Sequence, residues 1–432
     1  MGIGIEKGFL EKLHKAGISK STEHAFVYRY PDSDEMPLMD SEKFLLDAKN
    51  AGKEKKLAFY LHIPFCTSIC KYCHYYTQLP AGEKQTAEFL KAIQKEIVSY
   101  RKLIKEGIEV NSVLFGGGTP TVLNAGQLNE LMLFLQANFP MQKKTTEATI
   151  ESSPETLGLE KLAELRQNFN RLSIGVQDFN DSVLKACGRN HGKKQAMQAI
   201  SYARNAGFEN INIDLIYGLP LQGIKGWKKT LEEIDAIQPE SVTASDLRIQ
   251  KGSAFFGAGA EEFASELELI EMHSMLIEKM LSLGYEQLFP YQFVKKGKEM
   301  RFLQNQWNNN EFIGFGPSSC SFLNNWDYNN VFPLPEYFDS MKEGDFAFAV
   351  GKKLFKKELM VRHVALGLKK TQGISKKEFK KEFGESIEGE FGRQVELLES
   401  FGLVENNENA LKLSGKGLLF YDAVSRKFFP EK

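Results

Sequence analysis

Cysteine is scarce in this chain: five in 432 residues, three of them crowded into positions 66–73. So few, so unevenly placed, do not make a disulfide framework. An excess of either charge is missing as well. Lys and Arg number 55 against 56 Asp and Glu, a formal net charge of -1, which removes any overall pull toward nucleic acid or anionic lipid. No stretch approaches the apolar run that a membrane-spanning helix needs. The opening Met-Gly-Ile-Gly-Ile-Glu-Lys lacks the basic segment and apolar core of a secretory signal. What is present is ordinary: 42% hydrophobic and 26% charged residues, globular proportions with room for more than one domain. The expectation is a soluble protein of a reducing compartment, the cytoplasm, with neither a nucleic-acid partner nor a membrane span.

Residues 1–56 are mixed and polar, with some helix from Glu6 to Lys15 and a Lys-rich stretch from Lys49 to Lys56. They read as an N-terminal extension and not as a separate catalytic unit. From Leu57 short apolar runs alternate with longer amphipathic segments. Expected strands are Leu57–Ile63, Ser112–Phe115, Glu147–Glu151, Arg171–Val176, Asn210–Leu215 and Ser241–Leu247. Expected helices between and after them are Gln85–Lys105, Gln127–Phe139, Leu159–Asn168, Lys193–Ala206, Trp227–Ile237 and Phe263–Leu283. Such alternation predicts an α/β fold, a parallel sheet coated by helices. Right-handed crossovers would curl six units into a partial (βα)6 barrel, spanning 57–290, with ligands beyond the carboxyl ends of its strands. Residues 291–353, rich in Asn and Gly, read as an irregular connection contributing to the pocket. The block 354–432 reads as a helical, winged-helix-like module whose mixed charges favour packing over DNA binding. No internal repeat is visible.

The crowded cysteines lie in Tyr60-Leu-His-Ile-Pro-Phe-Cys-Thr-Ser-Ile-Cys-Lys-Tyr-Cys73, directly after the first expected strand. Cys66, Cys70 and Cys73 offer three thiolates on one loop. That is one too few for the four cysteines that usually close a cubane cluster, and one too few for a closed structural zinc site. One metal corner is left for another ligand. The alternatives are incidental clustering, or zinc completed by His62 or His74. A second motif, Phe115-Gly-Gly-Gly-Thr-Pro120, follows the second expected strand; its glycines let backbone approach a ligand closely. It lacks the Lys-Ser/Thr ending of a phosphate-cradling loop.

The cysteine motif, with aromatic Tyr72 before its last member, resembles that of the radical S-adenosylmethionine (SAM) enzymes. The resemblance implies that the thiolates hold three irons of a [4Fe–4S] cluster and that SAM occupies the fourth. The glycine run, with Gly117, Gly118 and Thr119, resembles the stretch that receives the methionine amino group of SAM. Further along, Glu151-Ser-Ser-Pro154, Arg171-Leu-Ser-Ile-Gly-Val-Gln-Asp-Phe179, Gly188-Arg-Asn-His191 and Asn212-Ile-Asp-Leu-Ile-Tyr-Gly-Leu-Pro220 resemble the oxygen-independent coproporphyrinogen III oxidase family. Carried over by motif, Glu151 would hydrogen-bond the SAM ribose, Gln177, Arg189 and Asp214 would line the SAM pocket, and Tyr60 would lie beside the cluster. A carboxylate suits a pair of ribose hydroxyls, and charged groups can balance the sulfonium and carboxylate of SAM. Plainer roles are a turn cap for Asp214 and a solvated surface position for Arg189. Cys187 reads as a small buried residue, whereas the glycine-rich loop around Cys320 is placed to face the pocket.

Within that family the branches differ after the triad. The decarboxylating oxidase carries a further cysteine where this chain has Tyr75. The heme-chaperone branch shows a His-Asn-x-x-Tyr-Trp motif; the matching Phe302-Leu-Gln-Asn-Gln-Trp307 keeps Trp307 without the histidine. A third branch, methyltransferases that bind two SAM molecules, often carries an aromatic segment with Tyr-Pro before the core, as in His24-Ala-Phe-Val-Tyr-Arg-Tyr-Pro31. The resemblance therefore implies one SAM or two, a tetrapyrrole-like or otherwise conjugated substrate, and a one-electron reductant such as flavodoxin or ferredoxin. Oxidase, methyltransferase and non-catalytic heme delivery all stay open.

Overall fold

In the computed structural model, which describes residues 5–21, 26–49, 55–104, 107–142, 145–258 and 263–430, the apolar runs become a parallel sheet. Strands β1 (Lys55–Ile63), β2 (Ile108–Gly117), β3 (Glu147–Ser152), β4 (Arg171–Gln177), β5 (Ile211–Tyr217) and β6 (Ser241–Asp246) lie side by side in that order. Ile150, Leu172, Ile174, Ile213, Leu215 and Val242 are buried in the core, as are Leu128, Leu131, Leu162, Ile200, Trp227 and Leu231 from the helices. Helix Ala125–Asn138 begins two residues before the expected Gln127 because Asn124 caps it. Asn124 Oδ1 accepts from Gln127 N at 2.8 Å, and Gln127 Oε1 accepts from Asn124 N at 3.1 Å, a reciprocal box that uses two otherwise orphaned donors.

Six strands about 4.8 Å apart would span roughly 24 Å if the sheet were flat. The loop after β1 and the carboxyl ends of β2 to β6 nevertheless border one cavity, so the sheet is curled around it. It stays open, as the partial barrel requires. On one side β6 continues antiparallel into β8 (Gln292–Val294) and β7 (Glu286–Phe289). On the other, β9 (Phe312–Phe315) joins β1 in parallel and is followed by β10 (Cys320–Leu323), β11 (Trp326–Asn330) and β12 (Phe348–Lys353).

The expectation of an irregular connection over 291–353 is therefore corrected: this segment supplies five strands and two helices, Arg301–Trp307 and Leu334–Glu343. Its Asn-rich signal comes from turns. Asn324 and Asn325, both at positive φ (52° and 64°), form the two-residue connection between β10 and β11, the geometry that asparagine tolerates best among side-chain-bearing residues. Nor does Cys320 face the cavity; Tyr291 is the segment's contribution to that wall.

The N-terminal segment starts with helix Lys7–Lys15 and threads between the sheet and the C-terminal module. Val27 N donates to Asp422 Oδ1 at 3.1 Å. Arg29 and Arg362 both pair with buried Asp327 on β11. Of the segment His24–Pro31, His24 and Ala25 lie outside the described residues, and Phe26 reaches the cavity. The C-terminal module holds helices Lys356–Gly367, Lys376–Phe383 and Ile387–Ser400 with a small three-stranded sheet closed by the hairpin Val404–Leu413, a winged-helix-like arrangement. Among the described residues no helix is long and apolar enough to cross a membrane.

Candidate functional site

The loop after β1 is fixed by backbone pairing on both sides. Cys66 N donates to Gln78 O, Cys73 N to Cys70 O and Lys71 N to Cys187 O, each at 3.0 Å. Along it Thr67, Ile69 and Lys71 face solvent, while Cys66, Ser68, Cys70 and Tyr72 turn inward and are half-buried. All three cysteines are free thiols opening into the cavity, whose volume is about 380 Å³. Burial pushes the Cys66 thiol up, and that of Cys73 to about 11. Cys66 and Cys73 are therefore thiols when bare and need a metal's charge to become thiolates.

The glycine run at the end of β2 fits against this loop. Gly117 has φ +105°, and a Cβ there would stand 2.7 Å from His62 Nδ1. A Cβ on Gly118 would lie 2.7 Å from Phe65 O and 3.0 Å from Cys66 Sγ, closer than side chains tolerate. Gly118 N and Thr119 N donate to Ile63 O and Phe65 O, and Thr119 Oγ1 stands 3.7 Å from Cys66 Sγ. The run thus serves packing of the cysteine loop as well as the cavity wall.

Opposite the thiols the strand ends present charge. Glu151, on β3, is half-buried; desolvation at the cavity wall, with the negative charge of Asp214 nearby, pushes its carboxyl up to about 8. Asp214, on β5, is also raised by burial, against hydrogen bonds from Ser173 Oγ (2.6 Å) and Asn212 Nδ2 (2.7 Å). Gln177 ends β4 at a bulge with φ +67°, an uncommon conformation for a residue with a side chain. Arg189 Nη1 donates to Cys70 Sγ at 3.3 Å, and its Nη2 donates to Ser153 Oγ and Gly175 O, both at 2.6 Å. Burial pulls this guanidinium down, but Tyr72, Cys70 and Glu155 more than offset it and hold its pKa above the usual arginine range.

The structure brings onto one cavity wall the sequence-selected Cys66, Cys70, Tyr72, Cys73, Gly117, Gly118 and Thr119, together with Glu151, Gln177, Arg189 and Asp214. Tyr60 is not on that wall. Its phenol donates to His62 Nδ1 at 2.9 Å, and His62 Nε2 donates to Tyr76 O at 2.9 Å. These bonds also occupy His62, one candidate zinc ligand. Arg189 is not a solvated surface residue. Sequence reasoning did not assign Phe26, Glu155, Asp246, Arg248, Gln250 or Tyr291 to the wall, which they also line. Two of these carried a signal: Phe26 within the aromatic segment His24–Pro31, and Glu155 as the residue following Glu151-Ser-Ser-Pro154.

The donor set fits an iron–sulfur cluster with a ligand beside it. Three thiols surround the mouth of a cavity, whereas among the described residues no three His, Cys, Asp or Glu side chains are grouped to hold a single metal ion. Buried polar atoms on the same wall, Tyr72 Oη, Arg189 Nε and Gln250 Nε2, have no protein partner, as expected where a ligand supplies one.

Comparison with known proteins agrees. The Radical SAM superfamily domain matches residues 60–234, and the HemN C-terminal domain matches residues 354–420. Heme chaperone HemW of Bacillus subtilis is 31% identical over 377 residues, covering 86% of this chain and 99% of that protein. Oxygen-independent coproporphyrinogen III oxidase of Escherichia coli is 27% identical over 410 residues, covering 90% and 89%. The solved structure of coproporphyrinogen III oxidase (HemN) from Escherichia coli superposes with a TM-score of 0.83 at 25% identity, covering 93% of this chain and 96% of that one. With its cysteine loop, its curled sheet and its C-terminal module all matched, the chain belongs to the radical SAM superfamily, in the family that contains HemN and HemW.

Proposed function

We propose that this chain is an enzyme that holds a [4Fe–4S] cluster on Cys66, Cys70 and Cys73, binds SAM beside it, and acts on a tetrapyrrole-type substrate. One observation carries the reading: three free thiols and the polar groups of four strand ends open into the same cavity. When bound, the cluster and SAM supply a one-electron cleavage to methionine and a 5′-deoxyadenosyl radical, which abstracts hydrogen.

The chain's own residues position and shield. Glu151, once ionised, accepts from two ribose hydroxyls. Asp214 and Arg189 set the charge around SAM, and Gln177 reaches it from the bulge. Gly118 and Thr119 bring backbone close to its methionine end. Phe26, Tyr72, Tyr75 and Tyr291 form the aromatic part of the wall, which suits a flat conjugated substrate and helps to exclude water. The electron comes from a carrier of the flavodoxin or ferredoxin class, and the setting is a reducing, cytoplasmic one.

Anaerobic reconstitution tests the cofactor: the wild type should take up about four irons and four sulfides per chain. Cys70→Ala should lose both the cluster and SAM cleavage; cleavage that survives would sink the assignment. The substrate class is tested by incubation with dithionite, SAM and candidate tetrapyrroles. Vinyl products with carbon dioxide identify an oxidase, and S-adenosylhomocysteine beside 5′-deoxyadenosine identifies a two-SAM methyltransferase. A second reading, heme delivery without turnover, is favoured by the similarity to HemW. Stoichiometric heme binding with no substrate-dependent loss of SAM would select it.

A further inference from the structure

The cysteine loop is tied to the rest of the barrel by a carboxylate that none of the roles above uses. Thr67, next after Cys66, donates from Oγ1 to Glu155 Oε1 at 2.7 Å. The other oxygen of Glu155 accepts from Ser153 Oγ at 2.5 Å and stands 3.4 Å from His191 Nδ1. Those same two atoms, Ser153 Oγ and His191 Nδ1, lie 2.6 and 3.3 Å from Arg189 Nη2. His191 is itself set by its Nε2, which donates to Val176 O at 3.1 Å. With one end of the guanidinium fixed in this way, Arg189 Nη1 meets Cys70 Sγ at 3.3 Å. Glu155 lies on the cavity wall, yet both its oxygens are committed to protein groups.

We propose that Glu155 is a positioning residue for the cluster: through Thr67 it pins the segment bearing Cys66, and through Ser153, whose hydroxyl donates to Glu155 and accepts from Arg189, it holds Arg189 against Cys70. This rests on the cluster reading above. Hydrogen bonds to ligating sulfurs are one of the levers that set a cluster's reduction potential. A cationic donor on sulfur favours the reduced form, which carries one more negative charge, and so raises the potential.

Two ways of acting give opposite signs. If Glu155 were only a nearby negative charge, neutralising it as Glu155→Gln would raise the potential. If it positions Arg189, the same change releases the guanidinium from Cys70 and the potential falls. The test is the midpoint potential of the reconstituted full-length chain, followed by EPR during reductive titration without SAM, with iron content measured alongside. The expected result is a downward shift in Glu155→Gln at unchanged iron content. Thr67→Val, which alters no charge, should give a smaller downward shift. A potential that rises or stays put in Glu155→Gln overturns the proposal. Should that variant fail to hold its cluster, Thr67→Val decides, and an unchanged potential there overturns it. A wild-type chain that takes up no iron would overturn the cluster reading itself and this proposal with it; the other outcomes leave that reading standing.

Discussion

Two groups of acids sit at the carboxyl ends of neighbouring strands and are treated in opposite ways. Glu151 and Asp214, both half-buried, face the cavity without a close cation, and both carboxyls are raised, that of Glu151 to about 8. Asp246, at the end of β6, is more deeply buried, yet Arg248 and Lys20 hold it down to about 2. Arg248 Nη2 lies 2.9 Å from Asp246 and 3.2 Å from Asp422, and Lys20 Nζ lies 3.4 Å from Asp246. The first group is left short of partners, which a ligand can supply. The second borders the same cavity at Asp246 and Arg248, but its charges are paired within the protein and tie the N-terminal segment, the sheet and the C-terminal module together. The same residue type, one strand apart, thus serves binding in one place and assembly in the other.

The contrast breaks most severely at the assembled side. Asp246→Asn leaves Lys20 and Arg248 facing each other in the interior, and the full chain should lose about 3–5 kcal/mol in denaturant titration; a loss within 1 kcal/mol would mean that the cluster is not a lock. On the open side, Glu151→Gln should raise the stability of the bare chain at neutral pH, because it removes a carboxyl that must take up a proton on folding. It should weaken SAM binding to the reconstituted protein by about 10- to 100-fold, the size of one or two charged hydrogen bonds, as read by calorimetry.

The pH dependence of stability sharpens the comparison further, with a smaller effect. Asp246 is held below its ordinary 3.8, so its contribution is full above that value and is lost as pH falls toward 2. Glu151 is raised above its ordinary 4.5 to about 8. Its contribution is full below 4.5 and is lost as pH rises through about 8. Urea midpoints measured across pH should therefore fall at both ends for the wild type. Asp246→Asn should flatten the acid limb and Glu151→Gln the alkaline one; the reverse pattern would show that the two sites have been assigned the wrong way round.

Much of this was legible in the sequence because the parallel strands are buried on both faces and read as apolar runs, each followed by its motif. The cysteines, Glu151, Gln177 and Asp214 all lie at or just past such runs, and Arg189 follows the short helix Asp181–Ala186 after β4. The strands β9 to β12 were hidden for a different reason: they are four to six residues long, and Asn324-Asn325 reads as loop until the hairpin is seen. Lys20, Arg248 and Asp422 were invisible because their meaning lies in partners hundreds of positions away, and Phe26, though part of the aromatic segment His24–Pro31, could not be placed on the cavity wall without the fold. Glu155 was missed because hydrogen bonds to Thr67 and Ser153 leave no periodic trace.

The bond from Val27 to Asp422 joins residues 395 positions apart, and it has a consequence for biogenesis. Residues 55–246 carry the cysteines and the six parallel strands, and they leave the ribosome long before residue 422 does. The wall that Phe26 contributes can be seated only after residue 422 has been made. Until then the nascent barrel stands open on that side, and the arrival of the C-terminal module is the event that shuts it.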